Sequence, residues 1–296
     1  MVNIKQLKSK IATIKSLQKI IGALEVASTA KLHKLKNQTV FFKEFFYEFL
    51  YVLNYVQKQI DIFDSAFQQV DDNAKRLLVV ISTDKGLAGG SNANLFKRIV
   101  QSYGTRKDKV DILAIGKKGK EFFERNGRNV IASLQIKDKI IAGELVELYN
   151  FLRNATDEKQ YSRIKIYFNF FKNALVQRPT RFSLFPLNQE NLDAFNEEIE
   201  LKTPINRREY REMIIEPDEE TYKETIIQEI IENMIYYSVV NAKMSEHAAR
   251  MIAMKNSKDN CKELETKLNS TYNKSRQMKI TQEISEIVGT KSAIEQ

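Results

Sequence analysis

The sequence predicts an α/β domain inserted between two long helices, one from each end of the chain, that wind about each other as an antiparallel coiled coil. Helix breakers are missing from both ends: residues 2–57 hold only Gly22, and residues 218–288 hold neither glycine nor proline. All four prolines lie between Pro179 and Pro217, and eight of the ten glycines lie between Gly86 and Gly143. That middle stretch alternates compact β-rich runs with amphipathic segments, the order of a parallel sheet joined by helices.

The first helix is expected within residues 1–60. Ile4, Leu7, Ile11 and Ile14 recur at spacings of three and four, and the stripe then drifts through Leu17, Ile20 and Leu24. At 1.5 Å per residue the two terminal segments span roughly 80 and 100 Å, far beyond the usual helix of about 11–12 residues, so they need a special architecture. The middle, residues 75–200, holds strands at RLLVVIST (76–83), VDILAIG (110–116), RNVIASL (128–134) and RIKIYFNFF (163–171). Amphipathic segments begin near Asn92, Lys118 and Ala142, giving a Rossmann-like alternation. RFSLFPL (181–187) reads as a short edge strand running into a loop. The last helix, residues 218–290, carries a narrow apolar seam through Ile230, Met234, Tyr237, Met244, Ala248, Met251 and Ile252, then Leu264, Leu268 and Tyr272. Ile280, Ile284 and Ile287 complete it. A narrow seam on a charged helix is what a two-stranded coiled coil presents, and the imperfect heptad implies stutters.

Strand, glycine turn and helix meet at DKGLAGGSNANLF (84–96), the local grammar of a phosphate loop. A Walker loop needs Lys and Ser or Thr directly after its last glycine, and here Ser91 and Asn92 follow Gly90. The glycines therefore read as a tight strand-to-helix turn, with Asn92 or Asn94 as cap. No carboxylate pair or nucleophile–base set stands out, so the expectation is a chain that is not an enzyme, with no cofactor and no metal. Cys261 is the only cysteine, and His33 and His247 are the only histidines, too few for a zinc cluster. The net charge is +9, with eight lysines and one acid, Glu25, between Met1 and Gln38. Such a face suits nucleic acid, an anionic membrane or an acidic protein surface. Nucleic-acid binding would call for aromatics interleaved with that face, and an α/β nucleotide enzyme for a pocket chemistry absent from residues 76–143. No apolar run is long enough to span a membrane, and the start lacks the apolar centre of a secretory signal and the arginine of a transit peptide.

Three blocks carry a family resemblance: KSKIATIKSLQKIIGALEVASTAKL (8–32), STDKGLAGGSNANLFK (82–97) and SEHAARMIAMKNSKDNCKELETKLNSTYNKSRQMKITQEISEIVG (245–289). With IIEPD (214–218) between them, the chain resembles the γ subunit of the bacterial rotary F-type ATP synthase over essentially its whole length. Ala88 stands at the family's usual cysteine, and IIGAL (20–24) departs from I-T-K-A-M.

The resemblance implies a non-catalytic rotor shaft within a ring of three α and three β subunits, with subunit ε and the membrane c ring at its base and no nucleic acid. Catalysis would lie on the β subunits, whose acidic loop presses on the lysine-rich shaft. It implies contact with the catalytic ring for Leu24, Arg250, Arg276, Gln277 and Thr281, and contact with the c ring or base for Glu216. Leu24 fits the seam equally well as a packing residue, and Glu283 and Glu286 are alternative partners for Arg276. Without a transit peptide, or the cysteine insertion of chloroplast relatives, the implied place is the cytoplasmic face of the bacterial inner membrane, as a peripheral protein. The polar end, TKSAIEQ, departs from the family's apolar tail.

Overall fold

A computed structural model describes residues 4–64, 73–104, 109–137, 140, 142–201 and 214–294. Its contacts divide the chain into two compact units, Met1–Ser28 with Met251–Gln296, and Thr29–Arg250. Helix α1 (Ile4–Val56) and helix α6 (Glu219–Ile294) each contribute to both.

In the larger unit the elements between them are β1 (Lys75–Ile81), α2 (Ser91–Tyr103), β2 (Val110–Ile115), α3 (Lys117–Arg125), β3 (Asn129–Leu134), a 3-10 turn, α4 (Val146–Asp157), β4 (Tyr161–Phe171), β5 (Gln177–Phe185) and α5 (Gln189–Glu198). The five strands form one sheet in the order β3-β2-β1-β4-β5. β1 is parallel to both β2 and β4, and β2 is parallel to β3, while β5 returns antiparallel to β4. Central strands β1 and β2 read as continuous apolar runs because helices cover both sheet faces.

The period-2 alternation of strands sorts the core by face. Leu78, Val80, Ile112 and Tyr167 point to one side and pack on Leu95, Phe96 and Ile99 of α2 and Phe123 of α3. Phe168, the next residue along β4, points the other way and starts a chain of rings. It meets Phe182 of β5 at 5.4 Å; Phe182 meets Phe195 of α5 at 4.9 Å. Phe195 then stands edge-on to Tyr237 of α6 and to Phe46 of α1, both at 5.6 Å. Sheet, α5 and both long helices thus share one aromatic core.

Two sequence expectations change here. The edge strand is nine residues long rather than a short piece within 181–187, because Pro179 is tolerated on an edge, where one side of the strand needs no donors. The segment beyond it is helix rather than loop. Asn188 caps α5 by accepting from the Asn191 amide at 2.8 Å, and Leu192, Phe195 and Ile199 are buried at helical spacing. A third expectation changes in α6. Every residue from Tyr237 to Arg250 is buried, so this part is a helix enclosed on all sides and not one with a narrow seam.

The smaller unit is the coiled pair. Lys15 and Gln18 of α1 meet Glu265 of α6 at 3.5 and 2.9 Å, and Glu25 meets Lys258 at 3.1 Å, so the helices run antiparallel. Leu7, Ile11 and Ile14 are buried along the seam. Ile4, Lys5 and Lys8 lie opposite residues 274–285 of α6, which continues to Ile294. Ile280, Ile284 and Ile287, expected to complete the seam, are instead 46, 56 and 68 % exposed.

The start of α6 is capped by Asp218, which accepts from the Thr221 amide at 2.9 Å and its hydroxyl at 2.8 Å. Those bonds hold the carboxyl below its usual range. A depressed folded pKa stabilises above the unfolded value and loses that contribution as pH falls, so natural protein should lose more α6 helicity than Asp218→Asn when acidified below about pH 4, as read by circular dichroism or amide exchange. Phe195→Ala should cost about 3–5 kcal/mol in denaturant unfolding, against less than about 0.5 kcal/mol for Phe45→Ala at the surface. Equal losses would mean that the ring chain is not the core.

Candidate functional site

The glycine-rich stretch leaves β1 at Ser82 and enters α2 at Ser91. Ser82 ties its start to the neighbouring strand: its amide donates to the Ile115 carbonyl at 2.7 Å, and its hydroxyl accepts from the Gly119 amide at 2.8 Å. Gly116 has φ +98°, and a Cβ there would lie 2.2 Å from the Ser82 carbonyl oxygen, so only glycine fits. Asn92 does not cap α2 as expected. Gly90 occupies the cap position, and Asn92 reaches back to Thr83, donating to its hydroxyl at 2.7 Å and accepting from its amide at 3.3 Å. The loop is folded onto itself because its side chains find backbone partners within the turn.

Its outer half is held by α6. Asp84 accepts from the Lys117 amide at 3.1 Å and pairs with Lys243 at 3.4 Å. Lys243 also stands 3.6 Å from Glu246, which pairs with Arg250 at 2.7 Å. Arg250 in turn donates to the Gly86 carbonyl at 3.4 Å. One turn lower, the Asn241 side chain accepts from the Phe171 amide at the end of β4, at 2.7 Å. Lys243, Glu246 and Arg250 are only 4, 6 and 8 % exposed, so two cations and two anions form a nearly neutral buried belt. Removing one member of such a set leaves an uncompensated charge, which costs far more than the intact pair contributes.

The arrangement answers the question the loop raises. A phosphate site needs free backbone amides and a nearby cation without its own anion. Here Asp84 lies in the loop, the Lys243 ammonium is shared between Asp84 and Glu246, and Asn92 is turned onto Thr83. The loop is a docking element that fixes the sheet to α6. Leu87, at its tip, is 65 % exposed with φ +64°, a conformation that a branched side chain holds only when its surroundings impose it.

The residues singled out in the sequence fall in separate places. Arg250 belongs to the belt, turned toward its own loop. Arg276, Gln277 and Thr281 are exposed together on α6, with Gln277 and Thr281 lining a groove beside Ile4, Lys5 and Lys8. Glu283 pairs with Lys279 at 3.5 Å, and Glu286 accepts from Gln282 at 2.9 Å. Leu24 is half-buried on α1 beside Glu25, whose partner is Lys258. That level is about 27 Å along α6 from Arg276. Glu216 is exposed, immediately before Pro217 and the start of α6. The sequence reading missed Asp84, Lys243, Glu246 and Asn241. Their signal was present in Ala242, Ser245, Ala248 and Ala249, small residues that let a helix be enclosed closely and so make its charged neighbours buried ones.

A protein-family model described as ATP synthase matches residues 3–294. Among solved structures, the fold is similar to a chain in the rotor of the Euglena gracilis mitochondrial ATP synthase in rotational state 1, with TM-score 0.64 and 20% identity over 94% of this chain and 98% of that one. It is similar also to one in the OSCP/F1/c-ring assembly of the same enzyme in rotational state 3, with TM-score 0.67 and 20% identity over 98% and 94%. A third likeness is to the central stalk and c ring of the Tetrahymena thermophila mitochondrial ATP synthase, with TM-score 0.58 and 20% identity over 80% and 99%.

Glu246→Ala should destabilise the chain by about 3–5 kcal/mol, because it strands Lys243 and Arg250 in a buried site. Lys267→Ala, which breaks an exposed pair of the same helix, should change stability by less than about 1 kcal/mol. Urea unfolding of both variants checks this, and a Glu246→Ala loss as small as that of Lys267→Ala would mean that water solvates the belt.

Proposed function

The chain belongs to the ATP synthase γ-subunit family, and on that premise we propose that Arg276, Gln277 and Thr281, with Leu24, form the face its shaft presents to the catalytic ring. A γ subunit is the non-catalytic central rotor of the enzyme, and catalysis takes place on the β subunits. The family match over residues 3–294 carries this assignment. The neighbouring complexes, described as rotor, F1/c-ring and central stalk, suggest the same surroundings here: three α and three β subunits around the coiled pair, with ε and the c ring at the base.

Physical reasons support the residue roles. A pair of helices has no threefold symmetry, so at any angle it offers different contacts to three like β subunits, and only such differences shift their open–closed equilibria. Arg276 is exposed, so its guanidinium can reach a carboxylate on the ring. Gln277 and Thr281 add polar contacts beside it, in a groove that also holds Lys5 and Lys8. Arg250 would act on the ring through the loop it holds at Gly86. Glu216, exposed before the start of α6, would face the c ring. Among the described residues no helix is long and apolar enough to cross a membrane. We place the chain as a peripheral component on the cytoplasmic face of a bacterial inner membrane. The lysine-rich face of α1 then serves an acidic protein loop rather than nucleic acid.

The test is reconstitution of the chain with purified α and β subunits. One copy per three α–β pairs, with sustained ATP hydrolysis, is expected. Arg276→Ala with Gln277→Ala should still assemble but turn over about 5–30-fold more slowly, the effect of about 1–2 kcal/mol of lost charge-assisted contact. Full turnover in that double variant would remove these residues from the ring-contact face while leaving the family assignment intact.

A further inference from the structure

The sheet face that carries Leu78, Val80 and Tyr167 is covered by α2 and α3. α2 ends at Tyr103, whose ring stands edge-on to Tyr167 at 6.3 Å. By two-residue alternation the same face continues past that point with Arg76 on β1, Arg163 and Lys165 on β4, and Arg181 and Ser183 on β5. Along β4 the cover thins step by step: Tyr167 is buried, Lys165 half-buried and Arg163 exposed. The register sets these residues side by side. Arg76 is the direct neighbour of Arg163, Lys165 of Ser183, and Tyr167 of Arg181. Lys165 and Arg181 are therefore diagonal neighbours, about 7–8 Å apart.

Four cations thus share one patch of sheet. Like charges on adjacent strands destabilise the pairing, and a solvated charged face ordinarily interleaves acids with bases. This one does not. Burial, then Arg181, Arg163 and Arg76, hold the Lys165 ammonium below its ordinary range, and no carboxylate opposes them. Asp111 of β2, beside Ile112 and so on the other face, is taken by Lys75, Asn129 and Tyr161. The carbonyls at the end of α2 are taken as well: those of Tyr103 and Gly104 accept from Arg128 at 3.1 and 3.5 Å.

We propose that this face binds a short chain of phosphates, such as inorganic tripolyphosphate or the phosphates of a nucleoside triphosphate, with Lys165 at its centre and Arg76, Arg163 and Arg181 around it. Guanidinium forks match phosphate oxygens in pairs, and a bound anion removes the repulsion among the four. Ser183, half-buried next to Lys165, adds a hydroxyl donor. Arg163 and Lys165 lie about 7 Å apart on their strand, and β1 and β5 about 10 Å apart across it, a spread that suits a chain of phosphates better than a single one. Carboxylates on one side of an extended acidic peptide repeat only every 7 Å or so and bring fewer charges to the patch. The rings of Tyr103 and Tyr167 are buried, so no platform is offered to a base, and the phosphates alone are recognised. The four residues belong to neither the glycine loop nor the ring-contact face.

Calorimetric titration of the purified full chain with sodium tripolyphosphate should show saturable binding, equal for ATP and UTP and at least about tenfold tighter than for orthophosphate. Arg163→Gln with Lys165→Gln should weaken tripolyphosphate at least about tenfold, the loss of two charge-assisted contacts. The same charge removed from α1, by Lys10→Gln with Lys19→Gln, should weaken it less than about threefold, because distant charges are screened by salt. Without anion the Arg163/Lys165 variant should melt at or above the natural chain, since two repelling charges are gone. Tripolyphosphate should then raise the midpoint of the natural chain and not that of the variant. Equal losses in the two double variants would overturn the proposal, leaving only the attraction of a basic chain for any polyanion. So would a titration without saturation, or polyglutamate binding as tightly as tripolyphosphate, which would make the patch a surface for an acidic protein. Flotation with phosphatidylglycerol vesicles that depends on Arg163 and Lys165, in a chain that does not bind tripolyphosphate, would overturn it in favour of a lipid surface.

Discussion

The belt formed by Lys243, Glu246 and Arg250 against Asp84 and the Gly86 carbonyl ties the glycine-rich loop of the larger unit to its long helix. Buried ion pairs are poor sources of stability, because taking the charges out of water offsets most of their attraction. What they supply is direction. Apolar packing tolerates a helix sliding or turning by a fraction of a residue, whereas a charge displaced from its partner in a closed interior is heavily penalised. In a rotor, force applied to the sheet domain must leave it through α6 without the helix slipping. A belt of directional contacts, backed by the aromatic chain from Phe168 to Tyr237, fixes both the height and the angle of that helix.

The same helix meets two environments, and its composition changes to suit them. From Tyr237 to Arg250 it is enclosed, and small residues are interspersed with polar ones: Ser238 donates to the Met234 carbonyl, and Asn241 accepts from the Phe171 amide. From Met251 onward it has one partner helix and solvent, and its charged residues pair along its own surface, as Lys267 does with Glu263 and Lys279 with Glu283. No breaker interrupts the sequence between Asp218 and Val288, so the helix is continuous across the change. Continuity matters because a kink or a flexible joint would absorb torque that must be passed on.

Much of this was legible in the residues. The placement of glycines and prolines marked the three segments, and the apolar runs located β1 to β4, because both signals are local consequences of backbone sterics and strand burial. The ends were less clear. Pro179 obscured the first half of β5, since proline argues against a strand unless the strand is known to lie on an edge, and the order of strands is not a local property. Asn188, Leu192, Phe195 and Ile199 carried a helix signal that the preceding Pro186 hid. The belt was least legible. Lys243, Glu246 and Arg250 have the spacing of an ordinary solvated helix face, and only the approach of a loop some 160 positions earlier makes them buried. Ile284 and Ile287 show the opposite case, a periodic apolar pattern that implied burial on a seam but lies exposed.

The contrast between those two cases bears on how a rotor surface must differ from a rotor core. Inside, contacts such as those of Lys243, Glu246 and Arg250 are specific and enclosed. On the shaft, Ile280, Ile284 and Ile287 expose apolar surface that has no preferred azimuth, and dispersion contact falls off smoothly as one surface turns against another. Contacts of that kind would guide rotation without trapping it at one angle. In the proposed ring-contact face, Arg276, Gln277 and Thr281 would interrupt that smooth surface with groups whose bonds are directional, so the energy they contribute would depend on angle. Too many such groups would lock the shaft, and none would leave the three catalytic sites unable to distinguish its orientations. A few directional side chains on an otherwise permissive helix would let angle be read, as the proposed ring-contact face requires.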